Sequence, residues 1–447
     1  MHQRRELGLV EAISLSIAIL SPTISLSFNT VFTVKAAGAG APLSFLVGTV
    51  SMLIVGLCFV AFERRIQGFG SVYSYVRHAF GGRWGYVAGW TLLLFYAGLA
   101  ASALGLVGNG FTVLLDDAGV HHPALWMPVG VATLGIATWL CWQDTKVAVR
   151  GMLALEGVSV LIIVILVTRI MTRVPLSWAP LHPDAAHGWS GIGYAMIFTT
   201  LAFGGFEGAA AFSQETRDPK RNIPLALIGT VTIAAGFYVL VMYAQVVGYG
   251  VGNMDALAGS DSPLSTLATR FISRQYALGI DVAVSCSAFA CVMGALSAAA
   301  RMLQALSMQN ERGWFAKLDG KHSTPRKAQV AISLCCLITM LAWGPHAGVM
   351  PFAVAAATIG SLALILVYLC VCVAEMVESV RSRRPLWLVL SVAGALLLLW
   401  PLWNNLYPVP NFPDRLWPYI VGAWVLAGAV WAQWIYTKSK DSLSATP

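Results

Sequence analysis

The chain reads as one apolar run after another, each long enough to cross a lipid bilayer, and that repetition leaves few folds open. A helical span needs about 20 apolar residues to cross a hydrocarbon layer of about 30 Å. Twelve such segments follow one another: 10–34, 41–62, 86–113, 124–142, 150–171, 191–214, 223–250, 276–308, 328–344, 349–378, 386–404 and 416–437. Lipid supplies no hydrogen-bond partner, so the backbone must satisfy itself within each segment, and an open strand edge is excluded. Composition agrees: hydrophobic residues make up 57% of the 447 and charged residues 11%, against about 25% charged in a soluble protein. The expected fold class is all-α and polytopic, with about 12 transmembrane helices in a single domain over residues 1–447.

The net charge of +8 has a membrane explanation. With both termini in the cytoplasm, all of the 28 lysines and arginines except Lys35, Arg169, Arg173, Arg270, Arg274 and Arg415 fall on the cytoplasmic side, as the positive-inside rule requires. One missed span would scramble that alternation. Arg4 and Arg5 precede an apolar stretch as in a signal peptide, but Val10–Val34 exceeds an ordinary signal core and many spans follow. The expected location is a plasma (inner) membrane crossed many times. Trp84, Trp142, Trp343, Trp403, Trp417 and Trp434 stand near segment ends, where interfacial anchors belong. Between the second and third segments, Tyr73, Val76 and Phe80 recur at helical spacing in the Gly68–Gly81 run, which predicts a short amphipathic helix.

Several chemistries find no support. The eight cysteines lie in or beside apolar runs without zinc spacing and read as small packing residues. The eight histidines fall in loops or termini, so neither a metal site nor a histidine proton relay is expected. No phosphate loop, nucleophile–base constellation, channel filter or nucleic-acid platform is visible, so neither an enzyme nor a cofactor is expected.

Two segments carry their own interruptions. In the first, Ile19-Leu20-Ser21-Pro22-Thr23-Ile24-Ser25 sets a proline among hydroxyls; proline removes a helical hydrogen bond and clashes with the preceding turn. In the sixth, Phe203-Gly204-Gly205-Phe206-Glu207-Gly208 surrounds a carboxylate with glycine, and an intramembrane carboxylate costs about 3 kcal/mol unless paired or wet. Each alone also reads as structure: a proline kink, a glycine packing face, a carboxylate pinning backbone. Together they are the first members of two five-helix sets, and interrupted helices at corresponding positions point to a transport site. Half-helix amide ends there meet an anion, and unwound carbonyls meet a cation. Glu11, Glu156 and Asp281 read either as pathway residues or as structural pairs near segment ends.

The run Phe203–Pro224, with its Glu215, Asp218-Pro219 and Arg221-Asn222-Ile223-Pro224, resembles the sixth-span signature of the amino acid–polyamine–organocation superfamily. Gly70–Arg77 resembles that family's loop after the second span, and Arg301–Leu306 the end of its eighth. In physical terms Asp218-Pro219 stops a helix, and Asn222 and Pro224 can open the next.

The resemblance implies a LeuT-like fold: inverted five-helix repeats over 10–171 and 191–378, with two further spans over 386–437. It implies a secondary transporter working by alternating access on amino acids or related small amines. Backbone at Ser21, Pro22, Thr23 and Ile24 would receive a substrate carboxylate, and carbonyls around Phe203, Gly204 and Gly205 an amine. Phe203 or Phe206 would gate, and Glu207 would couple the site to the cytoplasmic half. Proline stands where many relatives have glycine, so amide donors are fewer. No lysine lies between Arg150 and Met171, which excludes the lysine-based proton coupling of some relatives. The coupling ion, proton or sodium, and the oligomeric state stay open. The aromatic setting leans towards an apolar or neutral substrate. Another solute on the same scaffold (a carboxylate, a polyamine, an inorganic cation) or obligate exchange is the alternative.

Overall fold

The computed structural model describes residues 7–66, 72–117, 119, 122–143, 145–211, 213, 216–308, 314–316, 324–407, 409 and 411–444. Among them the α-helices run in the order α1 (Leu9–Leu20), α2 (Pro22–Ala37), α3 (Ala41–Glu63), α4 (Val72–Phe80), α5 (Gly82–Asp117), α6 (Trp126–Cys141), α7 (Thr145–Met171), α8 (Gly188–Ala202), α9 (Gly208–Ala211), α10 (Pro219–Tyr249), α11 (Met254–Ala258), α12 (Pro263–Phe271), α13 (Arg274–Ser307), α14 (Arg326–Ala347), α15 (Val349–Arg381), α16 (Pro385–Leu406) and α17 (Trp417–Ser444). The one β pairing among the described residues is a parallel bridge between Leu7 and Thr216. The protein is an all-α polytopic membrane protein. Nine stretches among the described residues are long and apolar enough to cross a bilayer; one of them, Leu9–Glu63, covers the first two predicted segments together. The sixth segment is divided by its break into α8 and α9, and the fourth, Trp126–Cys141, is apolar but shorter.

The helices sort by burial into an inner and an outer set. The apolar windows of α5 and α13 are 72% buried and that of α15 67%, whereas α16 is 28% and α17 22% buried. The outer helices present Leu386, Val389, Leu396, Leu426 and Val430 outward, a surface suited to lipid tails. Inside, α5 packs along both α13 and α15, α3 lies on α10, and α2 on α8. The α1 helix runs between α7, α10 and α13, so the first break sits at the centre of the bundle.

Several local expectations change. The loop helix forms as α4 with Tyr73 and Val76 buried, but Phe80 is exposed; residues 68–71 of the predicted run lie outside the described residues. Asn222 does not cap α10. The helix begins earlier, with Asp218 at its N-cap in the left-handed region (φ 42°) and Pro219 in its first turn, so Asn222 lies inside and donates its side-chain amide to the Arg217 carbonyl at 2.6 Å. Pro224 is consequently inside the helix too. Trp84, Trp403 and Trp434 are exposed as interfacial anchors would be, but Trp417 is buried and packs on Trp343 at 5.5 Å. His346 closes the last turn of α14 instead of lying in a loop. Glu11 caps α1, accepting from the Gly8 amide at 3.0 Å, where a carboxylate also meets the positive end of the helix dipole. Phe212, Gln214 and Glu215 of the sixth-segment run, Arg4, Arg5, Arg312, Lys317 and Lys321 of the charge map, and His2, His121 and His322 lie outside the described residues.

Candidate functional site

The first break turns on one residue. Ser21 sits at φ 45°, ψ 71°, a left-handed conformation that costs a non-glycine residue roughly 1–2 kcal/mol. Pro22 explains it: the residue before proline is driven out of the right-handed region, and proline itself is pre-shaped for the first turn of α2. Local groups take up the carbonyls this frees. The Ser21 hydroxyl donates to Ala18 O at 2.6 Å, the Ser25 hydroxyl to Leu20 O at 2.8 Å, and the Cys291 thiol to Ile19 O at 3.6 Å.

The amide end of α2 is already engaged. Pro22 has no N–H. The Thr23 amide donates to Glu156 Oε1 at 3.0 Å and the Ile24 amide to Ser287 Oγ at 3.1 Å. Glu156, on α7, is fully buried. Its second oxygen makes no hydrogen bond, nor does the Thr23 hydroxyl, although Thr23 and Ser287 lie close by.

The second break spans residues 203–207 between α8 and α9. Gly205 takes φ +104°, which L side chains rarely adopt. The Tyr238 hydroxyl takes the Ala202 carbonyl at 2.6 Å. Glu207 is fully buried and its carboxylate is a hub: Tyr96 on α5 donates to Oε1 at 2.9 Å, while Tyr368 on α15 at 2.7 Å and the Gly205 amide at 3.2 Å donate to Oε2. Glu207 therefore joins the break to two of the most buried helices.

The two breaks meet. The Ser16 hydroxyl donates to Phe206 O and accepts from the Ala209 amide, both at 2.9 Å. Ile19 fills a socket of three glycines, since a Cβ on Gly205, Gly208 or Gly294 would stand 2.4, 2.4 or 2.8 Å from its side chain. Small residues permit this close approach of helices in a membrane. Below, the Arg217 amide donates to Leu7 O at 2.7 Å, which ties the chain before α1 to the chain after α9. Among the described residues, this contact and the Ser16 bonds close the seam between the two breaks on that side.

On the opposite side the bundle is open. A cavity of about 780 Å³ runs along the far half of α2 to the surface at Lys35, Asp261 and Asp414, with Trp343, Met350 and Trp417 on its wall. A second, of about 50 Å³, lies beside it, bordered by Ile24, Ser27, Asn109, Asp261 and Asp281. Phe28 borders both. Asp281 accepts from the Ser262 and Ser265 hydroxyls at 2.9 and 2.8 Å.

The structure thus brings Ser16 and Ile19, just before Ser21, against the sixth-segment break, whereas the Thr23 and Ile24 amides turn to Glu156 and Ser287. Phe203 and Phe206 are fully buried and line none of these cavities; Phe203 packs on Tyr238 at 5.0 Å, and Phe206 on Phe59 and Tyr368 at 5.4 and 5.5 Å. The ring between the cavities is that of Phe28. Sequence reasoning did not single out Phe28, Ser16, Ser287 or Tyr368, which look like ordinary residues of apolar spans; the one hint was the Ser285-Cys286-Ser287 run. Among the described residues no cluster of His, Cys, Asp or Glu could hold a metal ion.

Comparison with known proteins bears on this geometry. The family described as amino acid permease matches residues 7–430. The branched-chain amino acid permease BcaP of Bacillus subtilis is 26% identical over 343 residues, 72% of this chain and 71% of that protein. The cationic amino acid transporter 4 of Homo sapiens is 26% identical over 258 residues, 54% of this chain but only 39% of that longer protein. The serine/threonine exchanger SteT of Bacillus subtilis is 22% identical over 357 residues, 76% of this chain and 78% of that one.

Proposed function

The chain belongs to the amino acid permease family, and from that premise we propose that it moves amino acids or related small amines through the two-break centre by alternating access. It is a secondary transporter. One observation carries the site assignment: two interrupted helices, far apart in sequence, are held together at Ser16 and Ile19 under a cavity that opens on one side.

In this reading the state described is loaded from the Lys35 side. The residues expected to meet substrate are Ser21, Pro22, Thr23 and Ile24 of the first break and the backbone of Phe203, Gly204 and Gly205 of the second. Phe28 and Met350 stand between the wide waiting volume and the narrow pocket beside Ile24. Emptying on the other side requires Ile19 to leave its glycine socket and the Leu7–Arg217 contact to part. Glu207 holds the second break to α5 and α15 through both tyrosines, so it is the residue through which that movement reaches the bundle. The five-helix halves 10–171 and 191–378 would be the bodies that rock, with 386–437 outside them. Both termini would lie in the cytoplasm of a cell whose plasma membrane holds the protein.

The test is radiolabelled uptake into proteoliposomes, over a panel of amino acids and amines, with and without a pH or sodium gradient. Saturable uptake of one class is the expected outcome, and the gradient that drives it identifies the coupling ion. Exchange in preloaded vesicles without net uptake would make the protein an obligate exchanger. No movement of any member in either format would refute the reading.

A further inference from the structure

Every amide donor at the start of α2 is absent or occupied. Pro22 has none, Thr23 gives its own to Glu156, and Ile24 gives its own to Ser287; the Ser25 amide closes onto Ser21 O at 3.0 Å. A substrate carboxylate entering here would find no free N–H, and a buried carboxylate already in place. Groups that could meet a cation are present. Glu156 Oε2 and the Thr23 hydroxyl are buried and lack a well-aligned hydrogen bond, with the Thr23 and Ser287 side chains beside the carboxylate. The pocket that touches Ile24, one residue from Thr23, carries Asp261 and Asp281 and, among the described residues, no basic side chain. Lys35, the one basic residue among the described residues on the wider cavity, stands at the mouth over the Phe32 ring, with Asp261 and Asp414 bordering the same cavity.

From this we infer that Glu156 is a resident carboxylate, occupying the place where a free amino acid would put its own, and that the transported solute is a small organic amine without an α-carboxylate. The inference rests on the transporter reading above and narrows its substrate class. The ammonium group is recognised by Glu156 Oε2 and Thr23 Oγ1 at the head of α2, and the organic remainder by the apolar wall that Phe28 and Met350 begin. An α-amino acid is disfavoured twice: its carboxylate lacks donors, and it meets the Glu156 carboxylate, where like charges in a buried site repel strongly. This reverses the lean towards a neutral substrate that the aromatic residues suggested.

The experiment uses the full-length protein in proteoliposomes and matched pairs that differ only in the carboxylate: isopentylamine with leucine, phenethylamine with phenylalanine, putrescine with ornithine, agmatine with arginine. Each is tested as labelled substrate, in uptake and in preloaded exchange, and as ligand in a thermal-shift assay. The expected result is that at least one amine is transported and outcompetes its parent amino acid by about tenfold or more. Equal or better transport of the amino acids overturns the inference and leaves the transporter reading standing. Movement of neither class brings down both. A thermal shift with sodium chloride and with none of the amines also overturns it. In Glu156→Ala the Thr23 amide is released, so competition should swing towards the amino acid of the pair; Glu156→Gln, which keeps the shape, should lose amine binding without that swing. Unchanged preference in both variants would remove Glu156 from recognition.

Discussion

At the scale of single residues, Glu207 and Ile19 illustrate opposite ways of holding a break. Glu207 uses polar bonds: three donors converge on one buried carboxylate. A glutamine there keeps the volume but offers one acceptor oxygen in place of two, and stranding a buried donor costs about 1–3 kcal/mol. Glu207→Gln is expected to lower the initial uptake rate by tenfold or more, roughly in proportion to that energy, with the protein still folded by thermal unfolding in detergent. Normal uptake would leave Glu207 without a part in transport. Ile19 uses shape. An alanine at Gly208 would place its Cβ 2.4 Å from Ile19 Cδ1, an overlap that costs about 1–3 kcal/mol. Ile19→Val removes that one atom, so it should restore most of the stability lost in Gly208→Ala. Additive unfolding temperatures in the double variant would show that the two do not meet.

Among the elements, the same device recurs at two helix starts. Ser21-Pro22 opens α2 and Asp218-Pro219 opens α10, each with the residue before proline at φ near +45°, at 45° and 42°. Pro22→Ala removes the clash that enforces the break and adds an amide donor; uptake is expected to fall several-fold as α1 and α2 gain helical continuity, and unchanged kinetics would reduce Pro22 to a bend. A loop on the cavity side has its own acid response. Asp184 accepts from the Ala186 amide at 2.8 Å and the Ala39 amide at 3.2 Å, with His187 beside it, and these bonds, the Ala186 amide first, hold its carboxyl below the usual range. A depressed carboxyl stabilises the fold above its unfolded value of about 3.9 and loses that contribution as pH falls through its lower folded value. Hydrogen exchange at Ala39 and Ala186 should therefore quicken at acid pH in the native protein, and already be fast and insensitive to pH over that range, after correction for intrinsic exchange, in Asp184→Asn. This scale also shows what could be read in advance. Apolar length marked the long apolar helices, and proline and glycine marked both breaks, because those signals are local. The start of α10 was misplaced because Asp218-Pro219 and Asn222 with Pro224 are competing local start signals, and packing chose the first.

For the whole molecule, the decisive asymmetry is a cavity open at Lys35 and a seam closed at Leu7. Cysteines placed at Lys35 or Met350 in a background without native cysteines should react with a membrane-impermeant maleimide from one face of the membrane only, the face opposite the Arg- and Lys-rich loops, whereas Ser16→Cys should resist labelling from both. Labelling of Ser16→Cys ahead of Met350→Cys would mean that the resting molecule faces the other way. That two segments are interrupted was legible from sequence; which groups meet at the interruptions was not. That Glu156 reaches Thr23 across 133 positions, or that Phe28 and not Phe203 borders the cavities, depends on how helices rotate against one another, and periodicity in a nearly all-apolar span fixes no such rotation. The narrowing beside Phe28 has one more effect. The cavity of about 780 Å³ gives way there to one of about 50 Å³, room for a little water but not for an organic body with the side chains as they stand. A larger solute would have to displace Phe28 or Met350 to enter, so the cost of passing this point would fall on bulk and stiffness, and cargoes of equal charge would be told apart by their shape.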